Sequence, residues 1–250
     1  MPRYFIFLQY KGSHYHGWQN QPNAITVQQV LEEKLSILLK EKVETTGCGR
    51  TDTGVHAKEF VAHFDTESTL PKLVEHFLYK INCLLPGDIS VYNLIEVTPQ
   101  AHARFDAISR TYEYYITTSK DPFNTEFAFF YPWSLNIELM NKAAGILLQY
   151  TDFTSFSKLH TDVKTNNCKI SEACWKVNGN KLVFTITADR FLRNMVRAIV
   201  GTLIDVGKEK IDLSQFCNIL DSKNRSYAGV SVPPQGLFLT KILYPSALLK

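Results

Sequence analysis

The chain lacks most of what would mark it as secreted, membrane-spanning or metal-built. Its five cysteines are an odd number with no C-x-x-C pair, so neither a disulfide framework nor a zinc ribbon is expected. Incidental or buried thiols in a reducing cytoplasm are the expectation. No run reaches the about 18 apolar residues of a membrane span, and Met1-Pro2-Arg3-Tyr4-Phe5 reads as strand, not as signal peptide. Neither sign of charge is in excess: 27 basic against 24 acidic residues leave a formal +3. As a total, that is too little to imply a polyanionic partner. Neither G-x-G-x-x-G nor a phosphate loop ending in Lys-Ser/Thr occurs, and there is no G-x-S-x-G elbow. The seven histidines (His14, His16, His56, His63, His76, His102, His160) show no metal-ligand spacing. A metal site is not expected.

What is present is an ordinary globular composition, 45% hydrophobic and 20% charged, which excludes general disorder. Strand patterns fall at 4–10, 60–64 and 89–97, then at 107–118, 170–178, 181–188 and 237–244. Helical patterns fall at 26–41, 71–82, 136–149, 190–206 and 212–221. Thr26 with Gln29 reads as a capping box, the face of residues 71–82 formed by Val74, Phe77, Leu78 and Ile81 should turn inward, and Asn178-Gly179-Asn180 should turn a hairpin. The fold class is therefore α/β or α+β. Similar element content in the two halves predicts two related domains, 1–105 and 106–250.

Three segments carry possible chemistry. Gly47-Cys48-Gly49-Arg50-Thr51-Asp52-Thr53-Gly54 holds three glycines, which permit positive φ and a close approach by another backbone or a ligand. An arginine beside Asp52 would keep its carboxylate ionised in a dry pocket, fit to act as nucleophile or base. The bland alternative is an Asx-turn with a surface ion pair. Arg110 and Tyr112 stand on an aromatic strand whose alternation puts Tyr112 and Tyr114 on one face, as in a base-stacking platform or in plain packing. Finally, only eight of the basic residues are arginine, and three of these are Arg190, Arg193 and Arg197. On a continuous helix they would share a stripe about 60° wide, opposite Leu192, Met195, Val196, Ile199 and Leu203. That is either an anion-binding ridge or a solvated face.

Taken together, these segments resemble the tRNA pseudouridine synthase A family. The matching blocks are Tyr10-Lys11-Gly12-Ser13 with Gly17-Trp18-Gln19, Gly49 to Ala57, Leu85-Pro86-Gly87-Asp88-Ile89 and His102-Ala103-Arg104-Phe105. Then follow Tyr112-Glu113-Tyr114, Asp152 to Phe156, Phe191-Leu192 with Met195-Val196-Arg197, and Gly236-Leu237-Phe238-Leu239. The resemblance implies isomerisation of uridine to pseudouridine in the tRNA anticodon stem-loop, without cofactor. It also implies a cytoplasmic homodimer whose subunits have two similar domains, each a mainly antiparallel sheet with helices, flanking a basic cleft.

Residue by residue, it implies that Asp52 is the essential carboxylate and that Arg50 helps to extrude the target nucleotide. Tyr112 would stack on the flipped uracil, Arg197 would pair with Asp52, and Leu237 would close the apolar side. Arg110, Arg190 and Arg193 would bind the RNA. Cys48, Thr53, Asp189 and Arg190 depart from the family's usual small or neutral residues. An RNA-binding protein without activity would explain the arginines and aromatics but gives no reason for Asp52. A nucleoside hydrolase would use Asp52 but leave the arginines idle.

Overall fold

The computed structural model describes residues 1–68, 70, 74–158 and 165–248, and the chain divides into two compact units. The first comprises Met1–Ile108 together with the segment from Leu239 onward, and the second is Ser109–Phe238. Most of the chain's last strand, from Leu239, thus belongs to the first unit. None of the helices among the described residues is long and apolar enough to cross a membrane.

In the first unit, β1 (Arg3–Tyr10) runs antiparallel to both β3 (His56–Asp65) and β4 (Ile89–Val97). The short β2 (Thr46–Gly47) pairs with β3, and β9 (Leu237–Leu243) continues the order β4-β1-β3-β9. Phe5, Ile6, Leu8, Phe60, Val61 and Phe64 are fully buried, so two largely apolar runs in sequence, the second broken at His63, become the central strands of the unit. Helix α1 (Val27–Leu39) starts where Thr26 Oγ1 accepts the Gln29 N–H at 3.2 Å, the forward half of the capping box. The Gln29 side chain itself donates to Glu33. Helix α2 (Val74–Leu84) buries Phe77 and Ile81, while Val74, expected inward, is exposed at its first turn. Residues 71–73 of the expected helix lie outside the described residues. From α2, Asn82 exchanges two bonds with the edge strand β4, accepting the Val91 N–H at 2.8 Å and donating to the Val91 carbonyl at 2.7 Å.

The second unit orders its strands β5 (Ser109–Thr117), β8 (Lys181–Ala188) and β7 (Ile170–Asn178), all antiparallel, with β6 (Phe129–Phe130) parallel to β5. The β7–β8 hairpin pairs Asn178 with Lys181 and turns through Gly179 at φ +60°, a conformation glycine adopts without strain. Helix α3 (Ile137–Ile146) packs on β7, and Asn141 repeats the Asn82 device. It accepts the Trp175 N–H at 2.7 Å and donates to the Trp175 carbonyl at 3.1 Å. Helix α5 (Leu213–Asp221) opens on a complete Asp212–Gln215 capping box. Helix α4 (Met195–Gly207) is buried on nearly every side. A Cβ on its Gly201 would stand 1.9 Å from the Val230 carbonyl, so the segment 228–233 lies directly on the helix backbone.

Among the buried polar groups of the first unit, His63 is the one whose ionisation bears on stability. His63, on β3, is buried and accepts the Ala103 N–H on Nδ1 at 3.1 Å, with His102 edge-on to its ring. Burial first, then the Arg3 and His102 charges, push its pKa down to about 4. The folded protein therefore favours neutral imidazole, whereas the unfolded chain takes up a proton near the ordinary imidazole value of 6.5. The stability that His63 contributes is complete above that value and is lost as pH falls toward about 4, by up to about 3 kcal/mol. Urea unfolding at pH 7 and pH 4.5 should show this loss in the wild type and a smaller one in His63→Asn; equal losses would exclude His63 as the source.

Candidate active site

The candidate residues fall in both units, and each group is built by its own unit. In the first, the loop 48–55 joins β2 to β3 and packs against the segment 10–18, which begins at the last residue of β1. Cys48 is buried, and its N–H donates to the Val61 carbonyl at 2.7 Å. Thr51 is buried and held twice: its Oγ1 is 2.9 Å from the Tyr10 hydroxyl, and its carbonyl accepts the Trp18 N–H at 3.3 Å. The Asp52 carbonyl accepts the Val55 N–H at 3.1 Å, closing a turn in which Gly54 has φ +78°. Gly54 in turn donates to the Tyr15 carbonyl at 3.3 Å. Asp52 itself is half-buried, and Arg50 is exposed, its Nε donating to Gln19 at 3.3 Å.

Two glycines make this packing possible. A Cβ on Gly12 would lie 2.0 Å from the Val55 carbonyl, and one on Gly17, already at φ +84°, 2.3 Å from the Thr51 carbonyl. The Gly12 N–H donates to His56 Nδ1 at 3.0 Å; His56 is buried and opens β3. Behind them, Asp88 anchors the segment through the Lys11 N–H (2.9 Å) and the Tyr15 hydroxyl (2.6 Å). Tyr10 stacks toward Trp18, and Trp18 lies on Phe60 at 4.1 Å. Asp52 is thus carried on a short turn with backbone pressed against backbone on one side.

In the second unit, Tyr112 stands half-buried on β5, edge-on to Phe191 at 5.1 Å. Tyr114, on the same strand face, is core: it is fully buried, donates to the Pro233 carbonyl at 2.8 Å, and burial raises its pKa far above the usual phenol range. Gly236 sits against its ring, leading into buried Leu237. Arg110 donates to the Asp189 carbonyl at 2.7 Å. Arg197, in the first turn of α4, donates from Nε to the Val232 carbonyl at 2.8 Å, and its own carbonyl accepts the Val232 N–H.

The family model for tRNA pseudouridine synthase matches residues 6–106 and 147–245 of this chain. The chain belongs to that family. It is 56% identical over 248 residues to tRNA pseudouridine synthase A of Parabacteroides distasonis, covering 99% of this chain and 98% of that protein. The protein of the same name from Bacteroides fragilis is 53% identical over 249 residues, with 99% and 98% covered. That from Clostridium acetobutylicum is 41% identical over 241 residues, with 96% and 98% covered. Arg50, Asp52, Arg190, Arg193, Arg197 and Leu237 lie within the segments matched by the family model, whereas Arg110 and Tyr112 lie between them.

Three of the family blocks quoted from sequence (residues 10–19, 49–57 and 85–89) meet around the Asp52 loop. The roles of Tyr10, Gly12, Gly17 and Asp88 in fixing that loop were not legible in sequence; a glycine without a turn signature carries no hint of which backbone it must admit. The arginine ridge is corrected. A helix was expected over 190–206, but α4 begins at Met195, so only Arg197 is helical and no common stripe exists. Asn194 adopts the left-handed conformation at φ +66°, which a continuous helix excludes, and its side chain donates to Ser231 at 2.6 Å. Upstream, Asp189 Oδ1 accepts the N–H groups of Lys169 (2.8 Å) and Arg190 (2.7 Å) and pins the end of β8. An asparagine at this position would offer the same acceptor, so the departure at 189 preserves the turn. The apolar half of the expectation holds: Leu192, Met195, Val196, Ile199 and Leu203 are all buried.

Among the described residues no cluster of His, Cys, Asp or Glu is arranged to hold a metal ion; His160 lies outside them. The close approach at residue 17 has a direct consequence. Gly17→Ala should destabilise the protein by about 1–3 kcal/mol, since it adds both positive-φ strain and a backbone clash. Gly49→Ala, with open space around its Cβ, should cost much less. Thermal unfolding of the two variants side by side measures the difference, and equal melting temperatures would contradict the packing described.

Proposed function

We propose that this protein isomerises uridine to pseudouridine in the anticodon stem-loop of tRNA, acting as a homodimer with Asp52 as its essential carboxylate. The observation that carries the reading is the Asp52 loop, a turn packed against the segment 10–18, which Asp88 in turn anchors. A chain that only bound RNA would gain nothing from presenting a fixed carboxylate, which repels phosphate. Two-unit organisation and membership in the family support the same conclusion.

The chemistry is an internal rearrangement. The C1′–N1 bond breaks, the uracil turns, and C1′ bonds to C5; the C5 hydrogen leaves to solvent and N1 takes up a proton. Nothing is oxidised and no group is donated, so the balance closes without a cofactor. A detached uracil must be held and water kept out while it turns. Tyr112 is the stacking surface for the base, and Leu237 closes the apolar side. Arg197 is the partner of Asp52, offsetting the cost of shielding its carboxylate from water when the substrate is bound. A base inside a stem must first be flipped, at a cost of about a few kcal/mol, and Arg50 at the exposed end of the loop assists there. Arg190 and Arg193, from the loop before α4, and Arg110, from β5, contact the RNA backbone as separate points, not as one ridge.

With tRNA tritiated at uracil C5, the wild type should release label and Asp52→Asn should release none while still binding the RNA; release by the variant would overturn the assignment. Arg193→Ala should weaken tRNA affinity and lower the slope of log affinity against log salt by about one. An unchanged slope would place Arg193 away from the RNA.

A further inference from the structure

The loop bearing Asp52 is tied to β1 through one buried side-chain pair, Tyr10 and Thr51. Both residues are almost wholly buried, and their hydroxyl oxygens are 2.9 Å apart. Thr51 is the residue immediately before Asp52, and its carbonyl is already taken by the Trp18 N–H. Beyond Asp52, the loop is fastened at Gly54 by the Tyr15 carbonyl and at Val55 by the turn itself. The side-chain bond therefore adds a second hold on Thr51 and restrains rotation of the peptide that leads into Asp52. A β1 strand paired on both sides is a rigid support for such a bond.

We propose that Tyr10 is a positioning residue of the reaction, holding Asp52 in its reactive direction through the hydroxyl of Thr51. The proposal rests on the reading of Asp52 as the catalytic carboxylate. It extends that reading to a residue that touches neither base nor sugar. A carboxylate acting at the sugar must keep its aim while the uracil turns, and an error of about 1 Å in such a group can cost about a hundred-fold in rate. A phenol on a paired strand is stiff where a serine or lysine would not be. The bond is between two neutral hydroxyls, so it adds no charge beside the carboxylate.

Tyr10→Phe and Thr51→Val each delete one hydroxyl with little change of shape. Single-turnover tritium release at saturating enzyme reads the rate of the chemical sequence independently of any misfolded fraction. Each variant should be slower by about ten-fold or more, with tRNA affinity unchanged, and the double variant should be no slower than the worse single one. Thr51→Ser, which keeps the hydroxyl, should recover most of the rate. Wild-type rates in both single variants, losses that multiply in the double variant, or a loss confined to affinity would each overturn the proposal. Asp52→Asn is run alongside. If it is active, the catalytic reading fails; if it is dead while Tyr10→Phe turns over at the wild-type rate, only the role of Tyr10 is lost.

Discussion

The first unit depends on a close approach of backbone to backbone, made at two glycines. The carbonyls of Thr51 and Val55 stand where side chains would be if residues 17 and 12 were anything but glycine. This close approach lets Tyr10, Tyr15, Trp18 and His56 all reach the same short turn, and it places the anchoring carboxylate of Asp88 behind it. Glycine costs conformational entropy on folding, which is offset by burying Val55, Trp18, Phe60 and the aromatic ring of Tyr10 around the contact. The half-buried carboxylate of Asp52 stands on that apolar base.

The second unit uses the same economy around a helix. Gly201 admits the carbonyl of Val230 onto the backbone of α4, and Gly236 admits the ring of Tyr114. The strap between them runs past Arg197, exchanging bonds with it at Val232, and past Asn194 at Ser231. Arg225 strengthens the strap by donating to Ala228 and Ser231, at the expense of its own solvation, and burial lowers its pKa. Arg197, Tyr114 and Leu237 thereby share one locally packed framework, although they lie far apart in sequence.

Periodicity found the strands and most helices because those signals are local. Alternation placed Tyr114 correctly with Tyr112, and the Gly179 hairpin followed from its turn residues. It failed at residues 190–194, where a 3.6-residue apolar pattern continued through a segment that is not helical. Leu192 satisfies the pattern because it is buried from a turn, and the left-handed Asn194 is held by a partner 37 residues away. The carboxylate loop was visible as a motif, since its glycines and charged residues cluster. Its supports were not, because each is an ordinary residue whose meaning depends on what it touches.

Asn82 and Asn141 have an effect beyond fastening helix to strand. They occupy the outward-facing peptides of β4 and β7, the terminal strands in the two strand orders. An uncovered terminal strand offers its peptide groups as a template on which another chain can add a strand, the first step of sheet-wise aggregation. By filling those hydrogen-bonding positions from their own helices, both units deny a foreign strand its register at the middle of the edge. A protein that must remain dispersed at cellular concentration gains that protection with two side-chain amides and no added charge.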